Sequence, residues 1–153
     1  GGFGTTLSWK GFSLNAQFSW VADRWMFNND RFFEESNGLY TVYNQSRRLL
    51  YDRWKKPGDV TDIPRYGITP QMDSRFLEDA SFLRLKNLTL GYAVPQNWLE
   101  KTHFFDSARI YVQGQNLLTF TKFSGIDPES SSNIYAAQYP MSRQFTLGIE
   151  LSF

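Results

Sequence analysis

Hydrophobic and polar residues alternate along five stretches of this chain, and between them the alternation stops. Phe3, Thr5, Leu7 and Trp9 oppose Gly2, Gly4, Thr6 and Ser8; after Lys10-Gly11 the pattern resumes as Phe12, Leu14, Ala16, Phe18 and Trp20 against Ser13, Asn15, Gln17 and Ser19. A period of two with a two-residue break containing glycine predicts a β-hairpin with a tight turn. The same period returns in "SFLRLKNLTLGY", in "SARIYVQGQNLLTF" and in "FTLGIELSF". In the first of these, Leu88, Leu90 and Tyr92 share a parity with Phe82, Arg84 and Lys86, while Leu83 and Leu85 break the pattern, as a bulge would. Strands are therefore expected at about 2–10, 12–21, 81–92, 107–120 and 143–153, with long connections at about 22–80 and 121–142.

The connections alternate short and long, as they do in outer-membrane barrels, where short turns lie on the periplasmic side and long loops outside. With the carboxyl end inside, Trp9, Phe12, Tyr92 and Phe153 fall at the inner ends of their strands, and Phe3, Trp20, Phe120 and Phe145 at the outer ends. Two rings of aromatic side chains around an apolar band are what two membrane interfaces require. A strand tilted by about 45° climbs roughly 2.4 Å per residue, so ten residues cross an apolar band of about 25 Å. On this reading Arg84 and Lys86 lie on the lipid side near the outer end, where a basic residue costs about 0–1 kcal/mol. The competing reading is a soluble β-sandwich with one buried face.

Composition changes the picture in three respects. Aromatic residues make up 18% of 153 residues, and 41% are hydrophobic, an aromatic excess that asks for a surface able to use it. Mean hydropathy is only −0.45, which suits a barrel as well as a soluble protein because alternate residues alone face lipid. A net charge of +1 points to no nucleic-acid partner, and the absence of cysteine excludes disulfides and thiolate metal sites. No cofactor is implied. The start, "GGFGTTLSW", has no charged and apolar leader and reads as strand, so the chain reads as part of something longer.

The long connection carries Trp25, Phe27, Tyr40, Tyr43, Trp54 and Tyr66, which are candidates for stacking on a sugar ring or packing against a lid; packing on one another is the alternative. "YNQSRRLLYDRWKK" predicts a short helix ending before Pro57 with Leu49, Leu50 and Trp54 on one side. Asp23, Asp30, Glu34, Glu35, Asp52, Asp59, Asp62, Asp73, Glu78 and Asp79 are scattered through it and read as solvated charges, not as the paired carboxylates of a glycosidase. Asp127-Pro128-Glu129-Ser130 is a turn with an outside claim to bind Ca²⁺, and His103 reads as exposed and inert. Arg109, Tyr111, Gln113 and Gln115 give the polar side of one strand, expected to line a lumen. No catalytic residue is assigned.

"SFLRLKNLTLGYAVPQNWL", "ARIYVQGQNLLTFTKFSGIDPE" and "YPMSRQFTLGIELSF" together resemble the carboxyl-terminal end of SusC/RagA-type TonB-dependent transporters of the Bacteroidetes outer membrane. The opening hairpin fits the resemblance, while the middle connection matches loosely. The resemblance implies a multi-pass transmembrane antiparallel β-barrel of about 22 strands closed by a plug, of which this chain supplies the last five, the plug and TonB-contacting segment lying outside it. It implies uptake of oligosaccharides or peptides with a SusD-type surface lipoprotein, driven through TonB. It also implies that Phe145, Leu147, Ile149, Leu151 and Phe153, an alternating series ending on an aromatic ring, serve both as lipid-facing residues and as the assembly signal. A barrel acting as adhesin or scaffold, and a soluble carbohydrate-binding β-domain, are the alternatives.

Overall fold

A computed structural model describes residues 1–102 and 104–153; His103 lies outside the described residues. The strands are β1 (Gly2–Trp9), β2 (Phe12–Val21), β3 (Trp25–Asn28), β4 (Leu77–Asp79), β5 (Phe82–Ala93), β6 (Ser107–Thr121), β7 (Ile134–Tyr135) and β8 (Gln144–Ser152). Short helices α1 (Asn29–Glu34), α2 (Arg48–Tyr51) and α3 (Gln96–Leu99) punctuate them. The chain divides into two units, one of residues 1–22, 82–121 and 141–153, the other of residues 23–81 and 122–140.

The first unit is a five-stranded antiparallel sheet in the order β1-β2-β5-β6-β8. Its hairpin turns through Lys10 (φ 46°) and Gly11 (φ 87°), two consecutive left-handed residues whose twist matches that of the paired strands. Gly11 is also a point of close approach: the Ala93 amide donates to its carbonyl at 2.8 Å, and a Cβ there would stand 2.9 Å from the Ala93 carbonyl oxygen.

The ladder between β2 and β5 runs from Phe12↔Tyr92 to Val21↔Phe82 and steps over Lys86, so that Gln17 faces Asn87 but Phe18 faces Leu85. On the other side, Asn87 faces Gln115 and Leu85 faces Leu118, with Asn116 taking a left-handed φ of 53°. One extra residue exchanges the two faces of a strand. Leu83 and Leu85 therefore join the apolar side opposite Trp20 and Phe18, and Arg84 falls opposite Ser19 and Thr119. This corrects the placement of Arg84 and Lys86 on the lipid side. Arg84 is buried on the polar side, its Nε donating to Thr119 Oγ1 at 2.9 Å, and Lys86 is the bulge residue itself.

The second unit is more ordered than its lack of alternation suggests. β3 pairs antiparallel with β4 and parallel with β7, and Met26, Ala80, Phe123 and Tyr135 close a small core on this sheet. Strands of two to four residues show no periodicity, which is why sequence reading finds a loop here. The helix expected up to Pro57 is reduced to α2: Leu49 is buried but Leu50 is 61% exposed. After Tyr51 the chain turns back, with the Trp54 amide donating to the Ile63 carbonyl at 3.0 Å and the amides of Lys55 and Lys56 donating to Asp59 Oδ2.

Gly11→Val should destabilise the refolded full-length protein by about 1–2 kcal/mol, because a β-branched residue pays for the left-handed conformation. Lys10→Asn should leave it unchanged or slightly stabilised. Urea unfolding midpoints compare the two.

Candidate functional site

Five strands with bulges that keep the faces in phase produce a sheet with two unlike sides. On one side each ladder row is apolar. Trp9, Phe12, Tyr92, Ile110 and Ile149 follow one another across the sheet, as do Leu7, Leu14, Leu90, Val112 and Leu147, and then Trp20, Leu83 and Phe120. Phe3 stacks on Phe18 with ring centroids 4.9 Å apart, and Phe12 meets Tyr92 at 4.6 Å. Among the described residues of the sheet this side stays open: Leu147 is 72% exposed, Ile149 64% and Phe153 73%. A contiguous apolar sheet face of this size does not stand in water.

Phe145 departs from its expected place. It faces Gly114, level with Leu88 and Ala16, and so sits midway along the sheet, because β6 runs on to Thr121 while β8 begins at Gln144. Leu118 and Phe120 take the outer positions instead. At the opposite end Phe104 and Phe105, which the sequence reading left out, gather on Phe153 with centroids 5.5 Å from it.

The other side of the sheet is amide and hydroxyl. Gln17, Asn87, Gln115 and Gln144 form one row, and Asn15, Thr89, Gln113 and Thr146 the next. Gln113 Nε2 donates to Asn87 Oδ1 at 2.9 Å, and Asn15 Nδ2 to Thr6 Oγ1 at 2.8 Å. Arg109 forms an ion pair on this side, Nη1 to Glu150 Oε2 at 3.2 Å, and lies 5.8 Å from the Tyr111 ring. The four side chains expected on this side, Arg109, Tyr111, Gln113 and Gln115, share it.

In the second unit, a polar network replaces the solvated charges that the sequence suggested. Asn28 caps α1 by accepting from the Arg31 amide at 3.1 Å, and the helix turns Arg31 and Glu35 to the same side. Glu35 is 1% exposed; its Oε1 accepts from Arg31 Nε at 3.0 Å and from Arg48 Nη1 at 2.7 Å. Arg31 continues to Glu78 at 3.2 Å and Asp62 at 3.3 Å, and Arg48 also reaches Asp62, at 2.9 Å. Glu78 accepts from the amide and hydroxyl of Ser124, each at 2.9 Å. Five segments distant in sequence are thus tied at one point. They border a polar cavity of about 660 Å³ lined by Asp30, Arg31, Glu35, Arg48, Asp62 and Tyr135 among others.

Burial pushes the Glu78 carboxyl up, but the hydrogen bonds from Ser124 and the Arg31 guanidinium outweigh it and hold the group below its ordinary value. Asp62 is held down in the same way by Arg48, against a smaller burial.

The loop aromatics divide. Phe27 and Tyr40 pack into rings around Phe32, Phe33 and Phe76, and Trp54 is half-buried. Trp25, Tyr43 and Tyr66 remain at least half exposed. At the candidate Ca²⁺ turn, Asp127 Oδ1 accepts from the Glu129 amide at 2.9 Å, and Arg24 donates to the carbonyls of Ser130 and Ser132. The Ser130 and Ser132 carbonyls are thus engaged by a guanidinium, and among the described residues no three acidic or histidine side chains converge as metal ligands.

Because Glu78 and Asp62 are held below their ordinary values of 4.5 and 3.8, the stability they lend is fully present above those values. It is lost as pH falls through the lower folded values. Amide-exchange protection of residues 28–35 and 76–78 should accordingly hold near neutrality and drop only in acid. Arg31→Met should strip this protection at neutral pH, by about 3 kcal/mol, since it leaves Glu35 buried with one partner fewer.

No family model matches the chain. TonB-dependent receptor P3 of Formosa agariphila is 34% identical over 165 residues, covering 99% of this chain and 16% of the relative. TonB-dependent receptor SusC of Bacteroides thetaiotaomicron is 40% identical over 82 residues, covering 54% of this chain and 8% of the relative. Among solved structures, the RagAB peptide importer in its closed-closed state matches with a TM-score of 0.90 and 44% identity, over 100% of this chain and 17% of that one. Its open-open state matches with a TM-score of 0.91 and 45% identity. The chain thus spans about one sixth of the length of these proteins, which are receptors and importers, not enzymes. An antiparallel sheet with one bare apolar side and one polar side is the wall of such a barrel, and the chain belongs to the SusC/RagA type of outer-membrane TonB-dependent receptors.

Proposed function

We propose that this chain forms five adjacent strands and two outer loops of an active importer whose barrel crosses the outer membrane many times. The observation that carries the reading is the bare apolar side of the sheet. On it, Phe145, Leu147, Ile149, Leu151 and Phe153 meet acyl chains, the last also marking the strand for assembly. Trp9, Phe12 and Tyr92 lie at the inner lipid interface, and Phe3, Trp20 and Phe120 at the outer one. The polar side, with Arg109, Tyr111, Gln113 and Gln115, faces a lumen occupied by a plug from elsewhere in the full-length protein.

The cargo is an oligosaccharide or a peptide taken up with a SusD-type surface lipoprotein and with energy relayed through TonB. The RagAB likeness supports a peptide. Of the six loop aromatics, Trp25, Tyr43 and Tyr66 are exposed enough to touch cargo or lipoprotein, while Phe27, Tyr40 and Trp54 are half-buried. The equal likeness to closed and open states of RagAB favours a part whose own fold does not change as the importer opens.

Ile149→Lys in the full-length protein should cost about 2–4 kcal/mol on the lipid side and deplete the heat-modifiable barrel from the outer membrane, whereas Gln113→Lys should not. Equal recovery of the two would remove the lipid assignment. Trp25→Ala with Tyr66→Ala should slow uptake of labelled oligopeptide or oligosaccharide while the amount of barrel stays constant. Growth on either nutrient that is indifferent to deletion of the gene, in cells with working TonB, would leave an adhesin or scaffold as the better account.

A further inference from the structure

The periodicity of β8 underdetermines its position. Sliding β8 by one residue along β6 would turn Leu147, Ile149 and Leu151 to the polar side, but sliding it by two keeps each of them where it belongs. These three side chains are similar enough in size that they do not choose between the registers. Within this chain β8 pairs with β6, and its register on β6 is read in that ladder.

On its polar side the ladder has two rows that are not interchangeable. Tyr111 faces Gly148, and its ring lies across the glycine, where any Cβ would run into it. One row along, Arg109 faces Glu150 in an ion pair. Arg109 is itself fixed from the other direction. It crosses Gly91, where a Cβ would lie 2.9 Å from its Nε and Nη2, and its Nη2 reaches Ser13 Oγ on β2 at 3.4 Å. A slide by two in one direction sets Thr146 under the Tyr111 ring and Gly148 opposite Arg109. In the other direction it sets Glu150 under the ring and Ser152 opposite the guanidinium. Either way the ring loses its seat and the cation loses its partner. Among Thr146, Gly148, Glu150 and Ser152, glycine alone leaves room for a ring lying flat.

We infer that the seat of Tyr111 on Gly148, with the Arg109–Glu150 pair beside it, selects the register of β8 on β6 against the two-residue slide. The device goes beyond the importer reading and does not depend on what is carried.

The chain contains no cysteine, so introduced pairs report cleanly. In the full-length protein, Gln113→Cys with Thr146→Cys joins residues that face each other in the observed ladder; the second pair is Gln113→Cys with Gln144→Cys for the slide that sets Thr146 under Tyr111, and Gln115→Cys with Thr146→Cys for the opposite slide. With the lock intact, oxidation should link the first pair and leave the second at background. In the Tyr111→Ala, Glu150→Gln background the second product should rise until it is comparable with the first. Gly148→Val should deplete the folded barrel, and adding Tyr111→Ala should restore part of it by vacating the space. Protein that fails to reach the membrane is read after refolding from urea into detergent with the same cysteine pairs. A slid product that stays at background in the Tyr111→Ala, Glu150→Gln protein overturns the inference, and so does a Gly148→Val defect that Tyr111→Ala does not relieve.

Discussion

A sheet that presents hydrocarbon on one side and amides on the other is stable only where the two sides meet different surroundings, and the rest of this structure follows from that condition. Burying Leu147, Ile149 and their row-mates is worth about 25 cal/mol per Å² of apolar surface removed from water, and within the sheet these side chains stay exposed. The same strands cannot turn inward without exposing Gln113, Asn87 and Gln17 to hydrocarbon, where each unpaired amide would cost several kcal/mol. A bilayer outside and a wet interior would satisfy both at once, and the ladders between neighbouring strands pair backbone groups within the sheet, as a spanning structure requires.

This condition also explains why the irregularities sit where they do. A bulge in a soluble sandwich shifts one side chain from core to solvent. Here it must be compensated, because a lysine or arginine left on the wrong side would be exposed to lipid. At Lys86 the extra residue restores Leu83 and Leu85 to the apolar rows and takes Arg84 to Thr119. The left-handed Asn116 then lets β6 keep its own faces while passing the irregularity. Gly114, between them, leaves space for Leu117, whose side chain a Cβ would meet at 2.8 Å.

Strands longer than about eight residues are legible because their alternation is set by the apolar side, a constraint written into every second residue. That reading placed all five of the long strands and the faces of four of them. In β5 the break at Leu83 and Leu85 signals a bulge, but periodicity does not say which residue is the extra one, so Arg84 keeps the wrong parity until the ladder is seen. Phe145 is misplaced because the stagger between neighbouring strands is a property of the ladder and not of either sequence. In the second unit the signals were short and non-periodic: β7 has two residues, and the Asn28 cap on α1 looks like any other asparagine. Glu35 was missed for a deeper reason. Its burial depends on two arginines, one a helical turn away and the other thirteen residues on, and nothing in the local sequence distinguishes it from Glu34.

The polar network of the second unit answers a cost that the strands do not bear. Fixing a long excursion of chain costs about 1–2 kcal/mol per residue in backbone entropy, and this excursion has few apolar side chains with which to offset it: Met26, Phe32, Ile63, Phe76 and Tyr135 are its principal buried ones. Charge-assisted hydrogen bonds from two guanidinium groups each bind several segments at once, so Arg31 and Arg48 do the work that a larger core would do elsewhere. Such a network depends on geometry more than on volume. It holds the exposed Trp25, Tyr43 and Tyr66 on a framework whose shape is set by the planar fork of each arginine, and it leaves the cavity beside Glu35 polar, where an apolar core would have filled it.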